Sequence, residues 1–258
     1  MKLLNYQFHQ LKQPSNQATM VFIHGLFGDM NNLGIIARAF SDAYNILRLD
    51  LRNHGQSFHA DEMNYSLMAQ DIIHLLETLQ LTKVILIGHS MGGKAAMKTA
   101  ALRPDLVEKL ICIDIGPIAY AHRWHDDVFA GLFAVKNAQA SSRQEAKPIL
   151  ASYIKDEGVI QFMLKSFDGN AAEKFRFNLS ALFNNYGQIM GWEEVFFDKP
   201  TLFIKGGNSD YLQSGYGTRI LAQFPQASSF TINGSGHWVH AEKPEFVVRA
   251  IQRFLESN

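Results

Sequence analysis

A serine stands where an apolar strand turns sharply into a helix. Val84-Ile85-Leu86-Ile87-Gly88 reads as a buried strand, Gly88-His89-Ser90-Met91-Gly92 follows without a break, and Gly93-Lys94-Ala95-Ala96 opens a segment of helical spacing. A G-x-S-x-G pentapeptide alone is common by chance. Between a strand and a helix it specifies a tight turn. Glycines two residues to either side of Ser90 let the backbone close up without a side-chain clash. The turn pushes the serine hydroxyl out of the sheet and sets it at a helix N-terminus, where peptide dipoles favour negative charge. A chain with such a bend needs a sheet whose strands feed helices.

The rest of the sequence supplies one. Short apolar runs at Thr19–Ile23, Tyr44–Asp50, Leu110–Asp114, Thr201–Lys205 and Ser228–Ile232 join the run before Ser90 as strands, and residues 2–9 add an edge strand or hairpin. Residues 65–80 put Met68, Ile72, Leu75, Leu76 and Leu79 on one stripe, which is helical spacing. Residues 91–102 and 244–256 also read as helices, with Pro104 just past one helix end and Pro244 in the first turn of another. Strands alternating with helices give the α/β class, a mostly parallel sheet covered on both faces. With 258 residues, 47% of them hydrophobic, the chain suits one domain spanning 1–258. The alternation stops once. Residues 118–197 show helical patterns and no core strand, too long a stretch for a connection. They read as a helical cap inserted over the active edge. Trp124, Phe129, Phe133, Phe162, Phe167, Phe175, Phe177 and Phe183 lie in it. Most of these build the cap's own core, and a few line an apolar acyl pocket.

A serine hydroxyl is a poor nucleophile until a base takes its proton. His237 lies in Gly234-Ser235-Gly236-His237-Trp238, after the last strand and before the last helix, late in the chain as the order serine, acid, histidine requires. His240 is its rival and is expected to turn toward a carboxylate such as Glu242. Two aspartates suit the role of orienting acid. Asp114 ends an apolar strand, where a shielded carboxylate needs a partner. Asp210 sits just beyond the strand Thr201–Lys205, the commoner location. The reading favours Asp114 and keeps Asp210 as the alternative. In His24-Gly25-Leu26-Phe27-Gly28, the N–H of Leu26 faces the oxyanion together with the N–H of Met91, while His24 braces the loop. Arg52, Asn53 and His54 brace the same loop from the next strand. Phe27, Arg123, Trp124 and Trp238 are candidate substrate contacts, with Arg143 or Lys147 joining Arg123 against a phosphate or carboxylate. His122 and Asp126 have the spacing of a metal pair but lack further ligands, so the segment reads as a polar helix face and no metal is expected. Cys112, mid-strand among apolar residues, packs.

With these residues placed, the chain resembles the α/β-hydrolase superfamily over essentially its whole length, and within it a group of bacterial esterases and their acyl-CoA-cleaving relatives. The resemblance rests on His24-Gly25-Leu26-Phe27-Gly28, Asp50-Leu51-Arg52-Asn53-His54-Gly55, the segment from Gly88 to Lys94, Ile113-Asp114-Ile115, Gly206-Gly207-Asn208-Ser209 and the segment from Gly236 to Pro244. It implies the α/β-hydrolase fold, hydrolysis of carboxylic esters and acyl-CoA thioesters through an acyl-enzyme on Ser90, and no cofactor. It also implies that the acid can follow the strand after the nucleophile's, as Asp114 does. A carbon–carbon bond hydrolase with the same triad, or a small-molecule receptor on the same fold, stays open. Ser90 argues against dehalogenases and epoxide hydrolases, which attack with a carboxylate. Twenty-four basic and 24 acidic residues cancel, so no global field draws nucleic acid or an anionic membrane. The expected partner is a small ester or thioester. No apolar run nears the ~18 residues of a membrane span, the N-terminus lacks a signal-peptide core, and the single cysteine suits a reducing compartment. The expected location is the cytoplasm.

Overall fold

Side chains that alternate in direction along fully buried strands split the core into two layers. The computed structural model describes residues 2–12 and 18–257. Its strands are β1 (Tyr6–His9), β2 (Thr19–Ile23), β3 (Ile46–Leu49), β4 (Val84–His89), β5 (Val107–Ile113), β6 (Thr201–Gly206) and β7 (Ala227–Ile232). They form a seven-stranded sheet in the order β1-β3-β2-β4-β5-β6-β7. β1 runs antiparallel to β3 at one edge and the other neighbours are parallel. Parallel neighbours need long crossovers, which helices supply. These are α1 (Gly34–Arg38), α2 (Tyr65–Thr78), α3 (Met91–Leu102), α4 (Asp126–Asn137), α5 (Arg143–Ala151), α6 (Glu157–Lys165), α7 (Leu179–Asn184), α8 (Tyr186–Met190) and α9 (Gly217–Gln223). After β7 come α10 (Val239–Glu242) and α11 (Pro244–Ser257).

Side chains two apart share a face of a strand. Met20, Phe22, Ile85, Ile87, Ile111 and Ile113 pack with α1 and with Val247, Ala250, Ile251 and Phe254 of α11. Val21, Ile23, Leu86, Leu110 and Cys112 face the other way, against Met68, Ile72, Leu75 and Leu76 of α2 and the alanines of α3. Burial on both faces is why these strands read as unbroken apolar runs. β5 starts at Val107, ahead of its apolar run, because Glu108 and Lys109 join the ladder half-buried. α2 stops at Thr78, short of the expected residue 80. Gln80 there takes φ 55°, a left-handed conformation that ends a helix.

Between β5 and β6 the chain makes α4 to α8, and the one β-pairing described there is an isolated bridge between Phe167 and Phe175. Buried side chains of this stretch, among them Phe129, Leu132, Phe177 and Tyr186, join the α2–α3 layer. Phe27 lies 5.2 Å from both the Phe129 and Phe177 rings. The Ser166 hydroxyl donates to the Phe27 carbonyl (3.2 Å), and the Asn178 N–H to the Asn53 carbonyl (2.9 Å). The stretch is thus pinned to the loops that follow β2 and β3, at the carboxyl ends of the strands.

Candidate active site

Two close backbone approaches shape the bend after β4. A Cβ on Gly88 would lie 2.3 Å from the Gly92 carbonyl oxygen, and one on Gly92 would lie 2.3 Å from the His24 carbonyl oxygen. The first contact tightens the turn. The second seats the start of α3 against the loop after β2. Ser90 holds φ 53° and ψ −123°, a region that costs a residue with a side chain about 1–3 kcal/mol. Its N–H donates to the Ile113 carbonyl at 3.0 Å, tying the bend to β5.

The strand ends then converge. Asp114 follows β5, itself at φ 51° and fully buried. Its Oδ1 accepts the Gly206 N–H at 2.8 Å, and its Oδ2 accepts the Ser209 hydroxyl. The same Oδ2 lies 2.7 Å from Nδ1 of His237, whose Nε2 lies 3.0 Å from Oγ of Ser90. A carboxylate can only accept, so Nδ1 carries the proton and Nε2 is left to accept from the Ser90 hydroxyl. The Tyr211 ring stacks on the His237 ring (centroids 3.9 Å apart, 19° between planes). The His89 imidazole donates from Nε2 to the His237 carbonyl at 2.9 Å.

Of the residues singled out in the sequence, the structure brings Ser90, His237 and Asp114 into one hydrogen-bonded chain. Asp210 is exposed, and the loop that carries it delivers Ser209 to Asp114 instead. Leu26 and Met91 are buried beside Ser90. Met91 opens α3, where amides have no earlier helical carbonyl to meet. His24 donates from Nδ1 to the Gly25 carbonyl (2.8 Å) and accepts the Leu51 N–H at Nε2 (3.0 Å). His54 accepts the Phe27 N–H at Nε2 (3.1 Å) and donates from Nδ1 to the Arg52 carbonyl (3.0 Å). Both are buried, which pushes the His24 pKa down and that of His54 to about 3, so each holds its loop as a neutral, fixed tautomer. Arg52 turns away from the site to pair with Asp71 of α2 at 2.5 Å.

A cavity of about 190 Å³ opens above Ser90 and His237. Phe27, Trp124 and Trp238 line it, with Val159 and Met163 of α6. Arg123 does not, because its guanidinium is held by Asp126 (2.8 Å) and lies over the Tyr186 ring. Lys147 pairs with Glu157, and Arg143 is an exposed residue opening α5. Of the aromatic residues noted in 118–197, Trp124 reaches the cavity, while Phe129, Phe133 and Phe183 pack on one another. His240 does not meet Glu242. It is buried against the His89 ring (4.1 Å), and Glu242 instead accepts the Gly236 N–H at 2.9 Å. Cys112 is buried, and burial pushes its thiol pKa up. Ser209, Tyr211 and His89 went unread in the sequence. Ser209 had a signal, a hydroxyl on the glycine-rich loop after β6. Tyr211 had none.

The residue pattern of an alpha/beta hydrolase family matches residues 20–250. The chain belongs to that family. This α/β hydrolase is 66% identical over 256 residues to a Haemophilus influenzae protein provisionally named esterase/lipase, covering 99% of this chain and 89% of the other. It is 47% identical to esterase YbfF of Escherichia coli, covering 98% of each chain. It is 36% identical to the mouse sn-1-specific diacylglycerol lipase ABHD11, covering 98% of this chain and 85% of that one. Among solved structures, a marine microorganism esterase superposes with a TM-score of 0.91 at 32% identity, over 98% of this α/β hydrolase and all (100%) of its own chain.

Proposed function

We propose that this α/β hydrolase is a serine carboxylesterase that works through an acyl-enzyme on Ser90. The observation that carries the reading is the unbroken chain from Asp114 through His237 to Ser90, set at a strained bend. His237 Nε2 takes the Ser90 proton as Oγ attacks the ester carbonyl. The buried Asp114 carboxylate steadies the imidazolium that forms. The developing oxyanion is met by the N–H groups of Leu26 and Met91, fixed main-chain donors that need not reorganise. His237 then protonates the leaving oxygen, and a water repeats the cycle on the acyl-enzyme. The names of the relatives point the same way. Acyl-CoA thioesters suit the same steps, because a thiolate leaves at least as readily as an alkoxide.

Phe27, Trp124 and Trp238 are the side chains proposed to meet the substrate, a small ester. We read the whole chain as one hydrolase domain with residues 118–197 as its helical cap, since α4 and α6 and the turn before α4 wall the cavity. No described helix is long and apolar enough to cross a membrane. A cytoplasmic setting is part of the proposal, supported by the lone, buried Cys112.

The test pairs p-nitrophenyl esters with an organophosphate label. The wild type turns the esters over and is labelled at Ser90. Ser90→Ala loses turnover by roughly 10⁴-fold or more together with the label. A Ser90→Ala protein that still hydrolyses or still labels would end the proposal.

A further inference from the structure

Two cavities meet at Ser90, and His237 tells them apart. If the protein is an ester hydrolase as proposed, His237 must reach the leaving atom. The leaving group then occupies the 190 Å³ cavity, whose wall includes His237 and Trp238. On the same reading the acyl group would turn the other way, past Met91, into a cavity of about 20 Å³ that His237 does not line. One water needs roughly 10–15 Å³ of such space, so this side has room for a methyl or ethyl group and no more.

Lys94 stands at its end. It lies one turn along α3 from Ser90, is 1% exposed, and lines the small cavity with Tyr65 and Tyr120. Its ammonium donates to the Gly191 carbonyl at 3.0 Å and lies 4.6 Å from the Tyr120 ring centre, 5.5 Å from that of Tyr65 and 5.7 Å from that of Trp192. The Tyr65 and Trp192 rings meet edge to face at 5.8 Å. Burial pulls the Lys94 pKa down to about 7. Beyond these rings lies another cavity, of about 290 Å³, lined by Tyr65 and Trp192 again and by Lys98 and Gln188. Tyr65 therefore fronts both spaces, and the wall between them is a few side chains thick.

We propose that Lys94, Tyr65 and Trp192 form a partition that confines the acyl group to short chains, and that the outer cavity is where a longer chain would run if the partition were breached. An alkyl chain pressed against it meets a buried amino group whose hydrogen bonds go to the Met190 and Gly191 carbonyls. Aliphatic groups offer that nitrogen nothing in exchange.

The test compares kcat/KM for p-nitrophenyl acetate, butyrate, hexanoate and octanoate in wild type, Trp192→Ala and Lys94→Met. Active sites are counted by organophosphate titration, so partly folded preparations do not distort the rates. Wild-type kcat/KM should fall at least about tenfold from acetate to octanoate, and the octanoate-to-acetate ratio should rise at least about tenfold in Trp192→Ala. Lys94→Met, similar in length without the charge, should raise the same ratio. A wild type that takes octanoate as well as acetate overturns the partition, and so does a ratio unchanged in both variants. If Trp192→Ala does not fold, Trp192→Leu replaces it, and the wild-type profile is decisive by itself. A wild type inert to all four esters and unlabelled at Ser90 overturns the ester reading along with the partition.

Discussion

Asp114 and Asp210 are separated less by position than by surroundings. Asp114 is buried, with both oxygens engaged, one of them by the His237 ring. Asp210 is exposed. Asn in place of Asp114 keeps the shape but presents an amide that can no longer fix the tautomer, so kcat on p-nitrophenyl acetate should fall by roughly 10⁴-fold. Asp210→Asn should stay within about twofold, as surface changes usually do. The opposite pattern would move the acid to Asp210. Phe27, Asn53, Ser90 and Asp114, all beside the site, hold φ between 51° and 65°. Local strain of this kind is kept where the surroundings over-determine it. Ser90 and His237 were legible because each sits in a glycine-rich pattern at a strand end, a signal contained in a few consecutive residues. Tyr211 and His89 were not, since what matters about them is a ring met across the fold. Arg123 misled for a related reason. A cation near a site in sequence says nothing of the Asp126 that holds it.

At the scale of elements, the contact between α3 and β2 matters most, because it seats the helix that follows Ser90 against the loop carrying Leu26. Gly92 is the residue that permits it. A Cβ there would meet the carbonyls of Ile23 and His24 at 2.4 and 2.3 Å, both main-chain groups that cannot swing aside. Gly92→Ala should therefore destabilise by about 3 kcal/mol, the upper end for overpacking. A thermal melt reads the loss, and ester turnover should fall with it. An alanine variant melting with wild type would mean that α3 can slide. The central strands were readable because burial on both faces writes an unbroken apolar run. Their ends were less so. Glu108 and Lys109 hid the start of β5, and the left-handed turn at Gln80 cut α2 short. In residues 118–197 helical spacing could be read, but not which helices would wall the cavity. That depends on α6 packing across from Trp238, where Phe162 lies 4.4 Å from the indole.

Taken whole, the molecule keeps several imidazoles away from water. His24, His54, His89 and His240 are all buried, and burial lowers each pKa, to about 3 for His54 and His240. A histidine that stays neutral in the fold can be protonated only when the chain opens. Below pH 6.5 the unfolded chain therefore binds more protons, and stability falls as pH falls from 6.5 toward the folded values near 3. At pH 5.5, His54 and His240, with folded values near 3, together remove about 3 kcal/mol, and His24 and His89 act in the same direction. Total stability in a domain is only about 5–15 kcal/mol. Urea midpoints should drop steeply between pH 7.5 and 5.5. His240 has an Nδ1 without a partner among the described residues, so His240→Phe should flatten that drop, by about 1 kcal/mol at pH 5.5. A midpoint indifferent to pH would show that these rings titrate freely in the fold. His24 and His54 clasp the segments after β2 and β3, the first of which carries Leu26. Acid thus strikes at the scaffolding beneath the candidate site: each proton these rings would accept is one the folded loops have no room for, so the pair acts as a latch that opens only when the chain does.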